Sequence, residues 1–161
     1  MQDAGPEFLC DAMLGGLARW LRAAGYDARF TYGIDDRELL EEAVRTGATV
    51  LSSDGRLFER NIIRSGALPA LFVPRQLSKL QQLGFVLRGL GLPVRPQPRC
   101  MACGGALEEV AKPAVRTEAP RRAYAAHERF WRCTRCGKLL WRGTHWRRIA
   151  AALERIGGGG G

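Results

Sequence analysis

Twice in the first sixty residues a short apolar run ends on an aspartate and a helical pattern begins at once. Phe8-Leu9-Cys10 leads into Asp11, and Leu14, Leu17, Ala18 and Leu21 then recur at helical spacing over about Met13 to Ala24. Ala48-Thr49-Val50-Leu51-Ser52-Ser53, a β-branched run, leads into Asp54, with a helix expected over Arg56 to Arg64. Between these repeats, Asp27 to Tyr32 reads as a second strand. An acidic helix start at Asp35-Asp36 opens an apolar stripe that Gly47 stops. Ala70 to Val73, closed by Pro74, is a fourth strand, and Gln76 to Leu87 a fourth helix. Strands alternating with helices of about 10–12 residues imply βαβ units, and therefore an α/β fold around a parallel sheet.

Parallel strands bring their carboxyl ends to one edge, where open α/β sheets bind ligands. Asp11 and Asp54 can therefore converge although 43 positions separate them. Asp36, or Asp35, starts the intervening helix and can reach the same edge. Carboxylates gathered so closely repel one another unless a cation is present. An oxygen-only donor set suits Mg²⁺ or Mn²⁺, which can activate a water for phosphodiester hydrolysis. Ser52 is placed to donate a hydrogen bond to these acids. Each aspartate taken singly is better explained as a helix cap; three of them at strand ends and helix starts bring the two readings level, and periodicity alone leaves both open.

The second half has a different composition. Residues 1–94 carry 11 Lys+Arg and 11 Asp+Glu, whereas residues 95–161 carry 14 and 5, so the whole net charge of +9 lies there. A neutral half with an acidic cluster, joined to a basic half, suggests an active centre beside a polyanion-binding surface. Leu92-Pro93-Val94-Arg95-Pro96-Gln97-Pro98 is a Pro-rich linker. It divides an expected domain over 7–94 from a second over 95–156, with a terminal helix from His145 and a disordered glycine tail over 157–161.

Four of the five cysteines form two C-x-x-C pairs, Cys100/Cys103 and Cys133/Cys136, separated by 29 residues. Two such knuckles complete a tetrahedral S₄ zinc site, which has no open position and is therefore structural. Gly104 and Gly137 follow the second cysteine of each pair, where a tight turn is needed. The long gap suggests a hairpin inserted between the knuckles. Cys10 reads as a small buried hydrophobe. Around the knuckles, Phe130, Trp131, Trp141 and Trp146 interleave with Arg129, Arg132, Arg135, Arg142, Arg147 and Arg148. Phe130 and Trp141 are expected to supply the small core of the ribbon, and the arginines to contact nucleic acid. No run is long and apolar enough to span a bilayer, and the amino terminus has no signal-peptide character, so a cytoplasmic protein without membrane contact is expected.

The first half, in Asp11-Ala12-Met13-Leu14-Gly15, Leu17 to Arg22, Gly25-Tyr26-Asp27, Asp36-x-x-Leu39-Leu40, Leu51-Ser52-Ser53-Asp54 and Gln76-Leu77, resembles the Mut-seven C-terminal RNase domain family. The second half, in Arg99-Cys100 to Cys103, Phe130 to Cys136 and Trp141-x-Gly143-x-His145-Trp146, is similar to the ribbon of that family. The resemblance implies a PIN-like three-layer nuclease domain with a parallel central sheet, fused to a C-terminal zinc ribbon and terminal helix. It implies metal-dependent ribonuclease activity, with Asp11, Asp36 and Asp54 holding Mg²⁺ or Mn²⁺ and Cys100, Cys103, Cys133 and Cys136 holding structural Zn²⁺.

On that reading the substrate is RNA. Arg19 and Arg22 are expected at the scissile phosphate, with Ser52 beside the acids, and Arg142, His145, Arg147 and Arg148 on the RNA strand. Two departures from the family pattern stand out: Arg56 occupies a position where related motifs often carry a further acid, and Ser52 one where Thr is common. The alternative is a non-catalytic nucleic-acid-binding module with a degenerate site. A third reading is a receiver-like phosphoryl-transfer domain, against which the basic ribbon speaks. Some relatives carry a ubiquitin-like domain ahead of the nuclease part, so a chain beginning this close to its first strand is expected to lack it or to be a fragment.

Overall fold

The computed structural model describes residues 5–158. Four short strands, β1 (Phe8–Cys10), β2 (Ala28–Phe30), β3 (Thr49–Ser52) and β4 (Ala70–Phe72), form a fully parallel sheet in the order β2-β1-β3-β4. The connections are α1 (Gly15–Ala23), α2 (Asp36–Thr46), and a 3₁₀ turn (Gly55–Glu59) followed by a single helical turn, α3 (Asn61–Arg64). α4 (Lys79–Leu90) follows β4.

Both faces of the sheet are covered, as parallel sheets require. Alternate strand residues feed alternate layers. Phe8, Cys10 and Leu51 pack with Leu17, Leu21, Leu83 and Val86 on one side, and Leu9 and Val50 with Leu39, Ala43 and Leu57 on the other. This is the expected three-layer PIN-like α/β domain. Cys10 is buried, and burial pushes its thiol up to about 12.

Two elements differ from the periodicity reading. The helix expected over 56–64 is split, because Arg60 takes an extended conformation (φ −64°, ψ 134°) between the 3₁₀ turn and α3. α4 starts three residues later than expected. Ser78 and Gln81 form a capping box: each side chain bonds the other's backbone N–H, and this sets the first turn.

The second half builds a three-stranded antiparallel ribbon, β5 (Leu107–Val110), β6 (Phe130–Cys133) and β7 (Leu139–Leu140). The segment between the knuckles is the expected hairpin, β5 and β6, with a 3₁₀ turn (Lys112–Val115) and α5 (Arg121–Ala126) at its tip. Phe130 is fully buried and packs with Val115, Ala119, Tyr124 and Trp141, a core as small as the sequence suggests.

The chain ends in α6 (Thr144–Gly158), which runs into the glycine stretch, so Gly157 and Gly158 are helical; residues 159–161 lie outside the described part. Ile149 and Leu153 of α6 join the core formed by α1 and α4, so this helix packs on the first half. Among the described residues no helix is long and apolar enough to cross a membrane.

Candidate active site and metal centre

β1 and β3 are neighbours, and their carboxyl ends place Asp11 beside Ser52-Ser53-Asp54. Asp11 is buried. Its Oδ2 accepts hydrogen bonds from Ser52 Oγ at 2.5 Å and the Ser53 amide at 3.0 Å, and its Oδ1 accepts one from the Met13 amide at 2.9 Å. The Ser52 hydroxyl also accepts from the Asp54 amide at 3.0 Å, so one side chain ties the two acidic loops together. That is the donor role read from the sequence.

Asp54 caps the 3₁₀ turn. Its Oδ1 accepts from the Arg56 amide at 3.0 Å, and both of its oxygens face the Arg56 guanidinium at 3.3 and 3.4 Å. These contacts hold the Asp54 carboxyl below the usual range, the backbone hydrogen bond foremost, with the charge of Arg75 adding to them. Arg56 also feels the charge of Asp36, so the three groups are electrostatic neighbours. Asp35, not Asp36, caps α2, accepting from the Glu38 amide at 2.9 Å. Asp36 in the first turn is left uncommitted among the described residues.

The three acids thus occupy one edge but do not meet. Among the described residues, the only three or more Cys, His, Asp or Glu side chains with ligand atoms all within 4.8 Å of one another are the four cysteines. The expected convergence of the acids is looser than foreseen, because Asp54 is turned onto Arg56 and both oxygens of Asp11 are taken up by Met13, Ser52 and Ser53. Their donor chemistry nevertheless fits a hard divalent ion. Mg²⁺ keeps several waters and takes only one or two carboxylates.

In the ribbon, Cys100 and Cys136 Sγ lie 3.8 Å apart, and Cys103 and Cys133 Sγ 3.4 Å apart. Amides point at the sulfurs: Gly105 N donates to Cys103 Sγ at 3.3 Å, and Arg135 and Cys136 N donate to Cys133 Sγ at 3.3 and 3.4 Å. Burial raises the Cys133 thiol, but these amides and the neighbouring thiols outweigh it and bring it down to about 6. A Cβ on Gly105 would stand 2.6 Å from Cys133 Sγ, so only glycine admits this packing. The four-cysteine cluster fits a zinc site.

Several arginines have other partners than those expected. Arg22 is buried, and its guanidinium donates to Ala28 O at 2.8 Å and Met101 O at 3.0 Å. It ties α1 to the first knuckle and cannot also face a phosphate in solution. Arg135 reaches back from the second knuckle to buried Asp27 in a bidentate pair at 3.1 and 2.7 Å. Arg129 pairs with Glu109 and Arg132 with Glu118. Arg142 lies over the Trp131 ring, 4.6 Å from its centroid. Arg19, His145, Arg147 and Arg148 remain exposed.

Arg19 and His145 line an open groove of about 440 Å³ with Lys138, Trp141 and Trp146. It adjoins a recess of about 200 Å³ bounded by Gly16, Trp20 and Lys79. Lys79 and Lys138 escape sequence reading because they sit singly in unrelated elements. The nearest signals, the capping box ahead of Lys79 and the second knuckle ahead of Lys138, report backbone turns and not a basic groove.

No solved structure matches the chain significantly. The human protein described as exonuclease mut-7 homolog is 34% identical over 98 residues, which cover 59% of this chain and 11% of that protein. This chain therefore corresponds to a small part of that relative. Residues 6–153 match the Mut7-C RNAse domain, spanning the sheet, the acidic edge and the cysteine ribbon alike, and the chain belongs to that family.

Proposed function

We propose that the protein is a metal-dependent ribonuclease that hydrolyses RNA phosphodiesters at the carboxyl edge of the sheet. Membership of a nuclease family supports the nuclease part of this reading. The observation that carries the rest is Asp11: a carboxylate buried at the carboxyl end of a central strand, oriented by three hydrogen bonds and linked through Ser52 to a second acid. Burying a carboxylate is costly unless it is hydrogen-bonded or bound to a cation.

Asp11, Asp36 and Asp54 would hold Mg²⁺ or Mn²⁺. Such an ion supplies an activated water and neutralises charge on the phosphate. The side chains of the protein do the rest. Ser52 and the Ser53 amide fix the Asp11 carboxylate at the strand end, and Arg56, exposed, can leave Asp54 for a substrate phosphate at little cost. Zn²⁺ on the four cysteines would hold the ribbon in shape. The groove with Arg19, Lys138 and His145, and the recess beside it with Lys79, would then grip RNA by its phosphates, with Arg142, Arg147 and Arg148 extending the basic surface.

The test is cleavage of a labelled RNA with added Mg²⁺ or Mn²⁺. Cleavage is expected to stop with EDTA and with Asp11→Asn; cleavage that survives both overturns the mechanism. A circular RNA in the same assay separates internal cleavage, which we favour, from attack at an end. A second reading, nucleic-acid binding without catalysis, is favoured by one observation, the ion pair that Arg56 makes with Asp54. Binding of RNA with no product under either ion would establish it.

A further inference from the structure

Five large apolar side chains are exposed among the described residues: Met13, Tyr32, Val44, Phe72 and Leu90. Three of them, Tyr32, Met13 and Phe72, sit at the carboxyl edge of the sheet, following or ending β2, β1 and β4. The strand order β2-β1-β3-β4 sets Tyr32 at one end of the edge and Phe72 at the other. Asp11 and Asp54, which follow β1 and β3, lie between them. Three interstrand spacings make that span roughly 14 Å, the length of about four stacked nucleotides.

The backbone beneath Tyr32 and the ring of Phe72 are each fixed. Tyr32 is 90% exposed on a β-turn closed by the Ile34 amide donating to Thr31 O at 3.2 Å. Gly33 takes φ +74° at the third position of that turn, where a side chain would be strained, so the turn is built to stand Tyr32 outward. Phe72 is 42% exposed and is steadied by a T-shaped contact with Phe58, centroids 5.8 Å apart. It borders an open pocket of about 500 Å³ with Ser53, Arg75 and Gln76. Ser53 is the residue whose amide holds Asp11, and the charge of Arg75 acts on Asp54, so this pocket opens directly beside the acids.

Apolar rings at the two ends of a charged edge, with Arg56 between them and Arg75 beside Phe72, match one kind of ligand: a strand whose bases are free to stack and whose backbone is anionic. We infer that Tyr32 and Phe72 are base-stacking platforms on either side of the acids. Arg75 contacts the intervening phosphate, and Gln76 faces the edge of the base seated on Phe72. The substrate is therefore unpaired RNA lying across the strand ends. A duplex keeps its bases stacked on each other and cannot use either ring. This deepens the ribonuclease reading and rests on it for the identity of the strand.

The test is binding to the full chain carrying Asp11→Asn, by fluorescence anisotropy, of a labelled 12-nucleotide RNA and of the same sequence as a blunt duplex. The single strand should bind at least tenfold more tightly. Phe72→Ala and Tyr32→Ala should each weaken it about tenfold, the usual loss of one stacked base, without changing the salt slope. Phe72→Trp should retain binding, and Arg75→Ala should lower the salt slope. Circular dichroism melts establish that each variant is folded.

Equal affinity for the duplex, or alanine variants that bind like their parent, overturns the inference. If unsubstituted protein still cleaves RNA in that case, the ribonuclease reading stands alone. If it cleaves nothing under Mg²⁺ or Mn²⁺ while the ring variants lose binding, the stacking edge stands and the ribonuclease reading falls.

Discussion

The four sulfurs of the ribbon lie within 4.8 Å of one another and are aimed by backbone amides, whereas the three acids of the sheet edge share a side of the fold without touching. One acid is fixed by hydrogen bonds, one is turned onto an exposed arginine, and one is uncommitted. A closed ligand set takes its ion as part of folding. An open set leaves positions for water and substrate, as catalysis needs. The two regions should therefore answer oppositely to damage: the ribbon through stability, the edge through activity.

The largest effect should come from the ribbon. Stripping the cysteine site with a chelator, or changing Cys100 to Ser, should unfold the ribbon, since structural zinc contributes about 10–16 kcal/mol in small zinc domains. The readout is Trp emission and melting, together with release of one zinc per chain. A ribbon that melts unchanged without metal removes the contrast.

Next is Asp11→Asn, which removes the charge, keeps one of the two acceptor oxygens and turns the other into a donor. It should lower RNA cleavage at least about a hundredfold, or about 2.7 kcal/mol, while shifting the melting midpoint by only a few degrees. A large loss of stability with proportionate loss of activity would make Asp11 a structural cap.

The third effect lies where the regions join. Arg135→Ala leaves Asp27 buried without its partner and should cost about 2–3 kcal/mol. Arg135 is itself half-exposed, which keeps the figure below that of a fully buried pair. Asp27→Asn and the double variant complete a mutant cycle. A coupling near zero would mean the knuckle is seated by Arg22 and apolar packing alone.

The smallest effect should be at Arg56. Its pair with Asp54 is solvent-exposed, so Arg56→Ala should leave stability unchanged within error and should raise divalent-ion affinity. The Asp54 carboxyl is held low, so what the pair contributes is present above the ordinary carboxylate range and is lost as pH falls through the lowered value. Because the Arg56 amide is the first cause of that lowering and survives in Arg56→Ala, an acid melt of the parent against Asp54→Asn checks that sign.

What could be read from the sequence divides along the same line. The strand ends and the C-x-x-C knuckles are local signals. β1, β3, Asp11 and the cysteine ligand set emerge within a residue or two of their observed places. The break at Arg60 and the late start of α4 depend on backbone conformation and a capping box, which hydrophobic spacing does not report.

The fates of the arginines were hidden for another reason. Arg22, Arg129, Arg132 and Arg135 look like phosphate ligands one at a time. Their partners are carbonyls of Ala28 and Met101 and the carboxylates of Glu109, Glu118 and Asp27, up to 108 positions away. Lys79 and Lys138 show the converse: dispersed along the chain, they come to adjoining recesses only after folding.

The most direct test of the central claim follows backbone amides by NMR while Mn²⁺ is added to protein whose cysteine site is filled with zinc. The Met13 and Ser53 amides both donate to Asp11. Their signals, with that of Asp54, should broaden before any others, and Asp11→Asn should abolish the effect. Broadening that begins elsewhere and ignores the substitution would contradict a metal-dependent site at this edge.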